Sequence, residues 1–185
     1  MSSASDQPSQ LIVYACPLGP LAAQIERYYA ASQAACGTNA AHSYMPHCSL
    51  TGFFHDDRES VGIYIAALDT ALHRARPTQP LPALTIGELT LRPEFHGLLL
   101  RSPWLQRLIA DFAHTAHSPT RRDPLRLKDW LHLSLAYAFP PHHHAPLAML
   151  ARDMVDISAP VSWELRLYER HLNAAWTCHA RWALS

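Results

Sequence analysis

Two apolar stretches 85 residues apart carry the same four-residue device, and they constrain the fold of this chain more than any other feature. The first is His47-Cys48-Ser49-Leu50 within MPHCSLTGFF (45–54). The second is His132-Leu133-Ser134-Leu135 within DWLHLSLAYAF (129–139). Both runs read as strands, in which side chains alternate between faces. His47 and Ser49 then share one face, as do His132 and Ser134, with Cys48, Leu50, Leu133 and Leu135 on the other. Such strands need an apolar core beneath them and a polar partner above them, because buried imidazoles and hydroxyls are costly when unpaired.

The remaining elements fall into a recurring order. LIVYA (11–15) reads as a short strand, and 19–37 as a helix with Pro20 in its first turn and Gly37 at its stop. After the first motif, 56–77 reads as a helix with Val61, Ile65, Leu68 and Leu72 on one stripe and Pro77 ending it. Two strands turning at Pro93 follow over 82–102. The series then returns: a helix over 102–118 with Pro103 in its first turn, a basic loop at 119–129 and the second motif strand. A short helix at 145–155 and strands at 161–172 and 174–184 complete it. Pro20 and Pro103 are 83 residues apart, and ELTL (88–91) and ELRL (164–167) are 76 apart. Matching offsets of this kind indicate an internal duplication. The predicted class is α+β: a bilobal, pseudo-two-fold fold of two mostly antiparallel sheets with outer helices and a central cleft. Residues 11–185 form one domain with repeat halves at about 19–102 and 103–184, after a disordered tail at 1–10.

Composition narrows the partners. With 49% hydrophobic and 16% charged residues, 185 residues can bury a substantial core. A net charge of zero removes any global attraction to long nucleic acid or an anionic membrane. No run approaches the ~20 apolar residues of a membrane span, and the polar MSSASDQPSQ lacks the positive start of a signal peptide. Cys16, Cys36, Cys48 and Cys178 show neither CxxC nor metal-ligand spacing. Reduced thiols in a cytoplasmic protein are expected, a Cys16–Cys36 bridge being the alternative. No cofactor, metal or obligate protein partner is called for.

If the two motifs face each other, two imidazoles and two hydroxyls converge on one small volume. That set suits in-line attack at phosphorus: a neutral histidine takes a proton from the nucleophile and a protonated one supplies the leaving oxygen. An ordinary imidazole populates both forms near neutral pH, and the serines can donate to non-bridging oxygens as charge develops. Paired His-x-Ser-hydrophobic motifs in a duplicated chain of this length resemble the 2H phosphoesterase superfamily, over roughly residues 11–184. That superfamily includes cyclic phosphodiesterases and the bacterial proteins called RNA 2′,3′-cyclic phosphodiesterases or 2′-5′ RNA ligases. The resemblance implies that His47 and His132 are the catalytic pair and that Ser49 and Ser134 hold the phosphate. It further implies metal-independent opening of a 2′,3′-cyclic phosphate on a small nucleotide or RNA terminus. Alternatives are 2′-5′ phosphodiester cleavage or ligation, a non-catalytic nucleotide- or RNA-binding module, and a histidine-rich metal binder.

Same-face alternation adds Thr51, Phe53 and Trp130 to the cleft side, the two aromatics as base-stacking or interface residues. Tyr14 is a further candidate. Tyr137 falls on the opposite face from His132 unless a bulge intervenes. The 119–129 loop carries Arg121, Arg122, Arg126 and Lys128 directly before the second motif; it reads as a solvated loop, or alternatively as a phosphate-gripping arm with Arg126 and Lys128 nearest the motif. PPHHHAP (140–146) reads as an exposed turn. His42, His55, His96, His171 and His179 read as surface or satisfied residues.

Overall fold

The computed structural model describes residues 8–75 and 84–184. The elements run β1 (Ser9–Leu18), α1 (Pro20–Cys36), β2 (Cys48–Ser49), β3 (Phe54–Asp56), α2 (Val61–Ala75), β4 (Thr85–Arg92), β5 (Phe95–Arg101), α3 (Pro103–Thr115), β6 (His132–Tyr137), α4 (His144–Met154), β7 (Ser162–Arg170) and β8 (Trp176–Ala183). The helices form where apolar residues recur at helical spacing. In α1 the buried stripe is Leu21, Ile25, Tyr28 and Ser32, and in α3 it is Trp104, Leu105, Leu108, Ile109 and Phe112. Gly37 ends α1 at φ 77°, a left-handed conformation that side chains resist, while its N–H closes the last turn on Gln33.

The sheet is one, not two. Its strands run β4-β5-β6-β2-β1-β7-β8, with β3 also on β1, and every pairing is antiparallel. The two expected sheets merge because the motif strands β2 and β6 pair at Cys48 and Leu133. Read from β4 to β7 the order is a palindrome that equates β1 with β5, β2 with β6 and β4 with β7. The helices obey the same symmetry, α1 packing on α4 and α3 on α2. The unit that repeats in space is thus strand–helix–strand–helix–strand, starting at β1 and again at β5, one strand ahead of the helix at which the sequence repeat begins. β8 is an addition at one edge.

Several boundaries differ from those expected. The first motif strand, anticipated over 45–54, is broken into β2, an isolated bridge at Thr51 and β3. Thr51 bridges Leu127, so the chain here leaves the regular sheet to pair with the basic loop. Ser9 and Gln10, expected within the tail, are paired to Asp56 and His55. Residues 1–7 of that tail lie outside the described residues, as does Pro77, the expected end of α2. All four cysteines are unpaired. Among the described residues, no helix is long and apolar enough to cross a membrane.

A buried carboxylate locks the basic loop in place. Asp56, fully buried, accepts from the Tyr64 hydroxyl on α2 (2.5 Å), the Thr120 hydroxyl (2.6 Å) and the Asp57 backbone N–H (2.8 Å). These donors favour the charged form and hold its pKa below the ordinary value despite desolvation, the largest opposing effect. Farther along, Arg122 N–H donates to the His55 carbonyl, Gly52 N–H to Arg126 and Lys128 N–H to Leu50. The loop, exposed at residues 126–129 as a solvated loop should be, is also laid antiparallel along residues 50–55.

Candidate active site

The pairing of β2 with β6 decides how the motifs meet. With Cys48 opposite Leu133, the same register puts Ser49 across from His132 and His47 across from Ser134. Each histidine thus faces the serine of the other motif. The apolar positions Cys48, Leu50, Leu133 and Leu135 are fully buried in the helix-covered core. His47, Ser49, His132 and Ser134 all line one cleft of about 610 Å³ on the opposite face.

Both imidazoles are fixed in the same way. His47 Nδ1–H donates to the Met45 carbonyl at 2.7 Å, and His132 Nδ1–H to the Trp130 carbonyl at 3.2 Å. A carbonyl can only accept, so the proton sits on Nδ1 and leaves Nε2 as the exchanging nitrogen. An aromatic ring covers each histidine at a centroid distance of 4.0 Å, Tyr14 on His47 and Trp130 on His132. Burial pushes His47 down to about 4; the Met45 carbonyl opposes the shift and His132 adds to it. His132 is lowered as well, again chiefly by burial, with the Trp130 carbonyl opposing and Lys128 contributing.

The other expected residues divide by role. Tyr14, Thr51, Phe53, Tyr137, Arg126 and Lys128 line the cleft. Thr51 is fully buried and its hydroxyl accepts from Val13 N–H at 3.1 Å, so it ties β1 to the first motif. Phe53 stacks on Trp176. Trp130 is 48% exposed at the rim, against His132 and Phe95, and not packed within an interface. Tyr137 reaches the cleft because the β5–β6 register slips between His96 and Gly97, opposite Ala136 and Ser134, so that Leu135 is the extra residue of a bulge. The two outermost cations of the loop are engaged elsewhere, Arg121 on the Ala116 carbonyl and Arg122 on Asp57.

Sequence reasoning passed over Tyr44, Glu94 and Phe95, which also line the cleft, and Trp176, which backs Phe53. Tyr44 stands three residues before His47 and was the one within reach of the motif. Trp176 comes from β8, over a hundred residues away, and carried no local signal. His96 departs from the expectation of a surface or satisfied residue: it is fully buried, its Nδ1 has no partner, and its Nε2 meets His144 Nδ1 at 2.9 Å. His144 opens α4, so PPHHHAP is a turn leading into a helix and only partly an exposed one. His42, His55, His171 and His179 do have partners: His42 with Asn39 and Ser32, His55 with Asp123, and the last two with Glu169. Among the described residues no group of three or more His, Cys, Asp or Glu is placed to hold a metal ion.

No family model matches the chain. Among curated proteins, the ubiquitin-associated and SH3 domain-containing protein B of Mus musculus is 31% identical over 173 residues, covering 91% of this chain and 26% of that protein. The ecdysteroid-phosphate phosphatase of Bombyx mori is 29% identical over 178 residues, covering 90% and 25%. The chain thus spans about a quarter of the length of the curated relatives it matches. Among solved structures, E. coli LigT complexed with phosphate superposes with a TM-score of 0.52 at 18% identity, over 96% of this chain and 98% of LigT. The chain has the LigT fold. This likeness is one of fold, and it bears out the α+β class read from the sequence. In the LigT fold as this chain builds it, the two His-x-Ser strands lie side by side at the centre of the sheet.

Proposed function

We propose that the chain is a phosphoesterase that opens a 2′,3′-cyclic phosphate on a small nucleotide or an RNA end, using His47 and His132 as base and acid. The observation that carries this reading is the convergence of both histidines and both serines in one cleft, each imidazole with Nδ1 bonded to a backbone carbonyl. The relatives support the class of chemistry: LigT was crystallised with phosphate, and the Bombyx mori protein is named as a phosphatase.

The environments of the two histidines suggest their roles. Burial disfavours the charged form of both imidazoles, so the acid must take its proton in the presence of the substrate. His47, held at about 4, is neutral over the working range and takes the proton of the attacking water. His132 is the acid, since a bound phosphate anion favours its charged form. As the water oxygen bonds to phosphorus, the bond from phosphorus to the 3′ oxygen breaks, and that oxygen receives the His132 proton. The product is a 2′-phosphate. Ser49 and Ser134 donate to the non-bridging oxygens, and Arg126 and Lys128 offset the developing charge. Both proton transfers are made by side chains of the cleft, so the reading needs no metal.

The test is turnover of the four nucleoside 2′,3′-cyclic monophosphates in EDTA by the wild type, His47→Ala and His132→Ala. Turnover that resists EDTA and falls at least ~100-fold in each variant is expected. Turnover retained in either variant refutes the mechanism. Binding without turnover, surviving both substitutions, would favour a nucleotide-binding module.

A further inference from the structure

We propose a second anion subsite at Arg170, beside the cleft, for a phosphate one nucleotide step from the reacting one. The inference rests on the reading of the cleft as a cyclic-phosphate site and names the substrate class more narrowly. Arg170 ends β7, on the same face as Tyr168 and in register with Gln10 of β1 and Trp176 of β8. Its guanidinium lies over the Tyr44 ring at 5.5 Å and the Trp176 ring at 5.7 Å. Tyr44 in turn contacts His47 at a centroid distance of 5.4 Å, so one aromatic ring separates the cation from the catalytic pair.

Two further observations mark Arg170 as a binding cation and not a structural one. Four residues earlier on the same strand face, Arg166 is neutralised: it donates to Glu164 at 2.7–2.8 Å and to the Tyr168 hydroxyl at 3.0 Å. Arg170 has no carboxylate partner among the described residues, although the whole chain carries no net charge. Its charge is also felt by the hydroxyls of Tyr14 and Tyr137, which face the cleft from β1 and β6. A guanidinium that rests over aromatic rings and meets no carboxylate still has its N–H fork to offer, and that fork matches the oxygens of a phosphate. Arg126 and Lys128, from the basic loop, line the cleft itself, and Arg170 stands behind its Tyr44 wall. Cations distributed along a groove together with aromatic rings are the pattern that tracks a nucleic-acid backbone.

The experiment is calorimetric binding of adenosine 2′-monophosphate, adenosine 2′,5′-bisphosphate and a diadenosine dinucleotide ending in a 2′-phosphate. The proteins are the wild type, Arg170→Gln and Arg170→Lys. The wild type is expected to prefer a ligand with a second phosphate by about tenfold or more at low salt, a typical value for one charge-assisted contact. That preference should vanish in Arg170→Gln and be only partly restored by lysine, which has the charge without the fork. An Arg170-dependent preference for the dinucleotide assigns the subsite to an RNA end; one confined to the bisphosphate assigns it to a free nucleotide. A preference that is absent, or equal in wild type and Arg170→Gln, overturns the proposal. Binding requires no turnover, so failure of the catalytic reading, seen as intact binding with no cyclic phosphate opened, is a separate result.

Discussion

Tyr14→Ala tests whether burial beneath an aromatic lid is what sets the proton affinity of His47. The Tyr14 ring lies 4.0 Å from the imidazole and is 1% exposed, so its removal opens a gap beside a cleft that water already reaches. The fall from an ordinary 6.5 to about 4 corresponds to ~3.4 kcal/mol against charging His47, most of it from desolvation. Rehydration returns the greater part, while the influence of His132 remains; a His47 pKa of about 6 is the expected result. At pH 5 the neutral fraction then drops from roughly nine in ten to one in ten, whereas at pH 7 it barely changes. With His47 as base, kcat/KM at pH 5 should fall ~10-fold beyond any loss seen at pH 7. The assay is the pH profile of kcat/KM, with His47 titrated in parallel by NMR. A loss uniform across pH, or a His47 pKa unmoved by the substitution, refutes the reasoning. Truncating a buried ring also costs about 3–5 kcal/mol of stability, so both measurements belong well below the unfolding temperature.

Other consequences can be measured directly. Gly97→Ala would place a Cβ 2.5 Å from the Leu133 carbonyl oxygen and 2.5 Å from the Phe95 ring, the ring that meets His132 edge-on at 5.3 Å. It should lower the urea-unfolding free energy by about 1–3 kcal/mol and reduce kcat, and a variant as stable as wild type would contradict the geometry. The Tyr29 hydroxyl on α1 donates to the Ser134 carbonyl at 2.7 Å, so Tyr29→Phe should cost ~1 kcal/mol of stability and weaken phosphate binding; unchanged affinity for inorganic phosphate would sever that link. His47 and His96 are both held at about 4, so acid should destabilise the fold. Above pH 6.5 neither contributes, because both are neutral folded or unfolded. Between 6.5 and 4 the unfolded chain takes up protons that the native state refuses, and stability should fall by ~1.4 kcal/mol per pH unit for each histidine. Asp56, a depressed carboxylate, acts only below its ordinary value and so outside that window. A urea series across pH 6 to 4.5 showing no such slope would show that these imidazoles are not held neutral.

What the chain determined unaided was periodic and local. Alternation put His47 and Ser49 on one strand face and Cys48 and Leu50 on the other, and the structure buries them accordingly, because a strand over an apolar core has no other way to satisfy both sets. The repeat of motif, helix starts and ELTL/ELRL indicated a pseudo-two-fold fold, and the palindromic sheet order shows the symmetry. Three features were decided only in three dimensions. The halves share one sheet because Cys48 pairs with Leu133, a contact between residues 85 apart in sequence that also chooses which serine faces which histidine. The bulge at Leu135 turns Tyr137 into the cleft; bulges arise from the fit between neighbouring strands, which one strand's alternation does not encode. Tyr44, Trp176 and Arg170 come together from separate elements, and the His47 pKa depends on the rings and carbonyl the fold gathers around it. Side-chain periodicity is written in the order of residues; register between distant strands, and the desolvation that register creates, exists only once the sheet has closed.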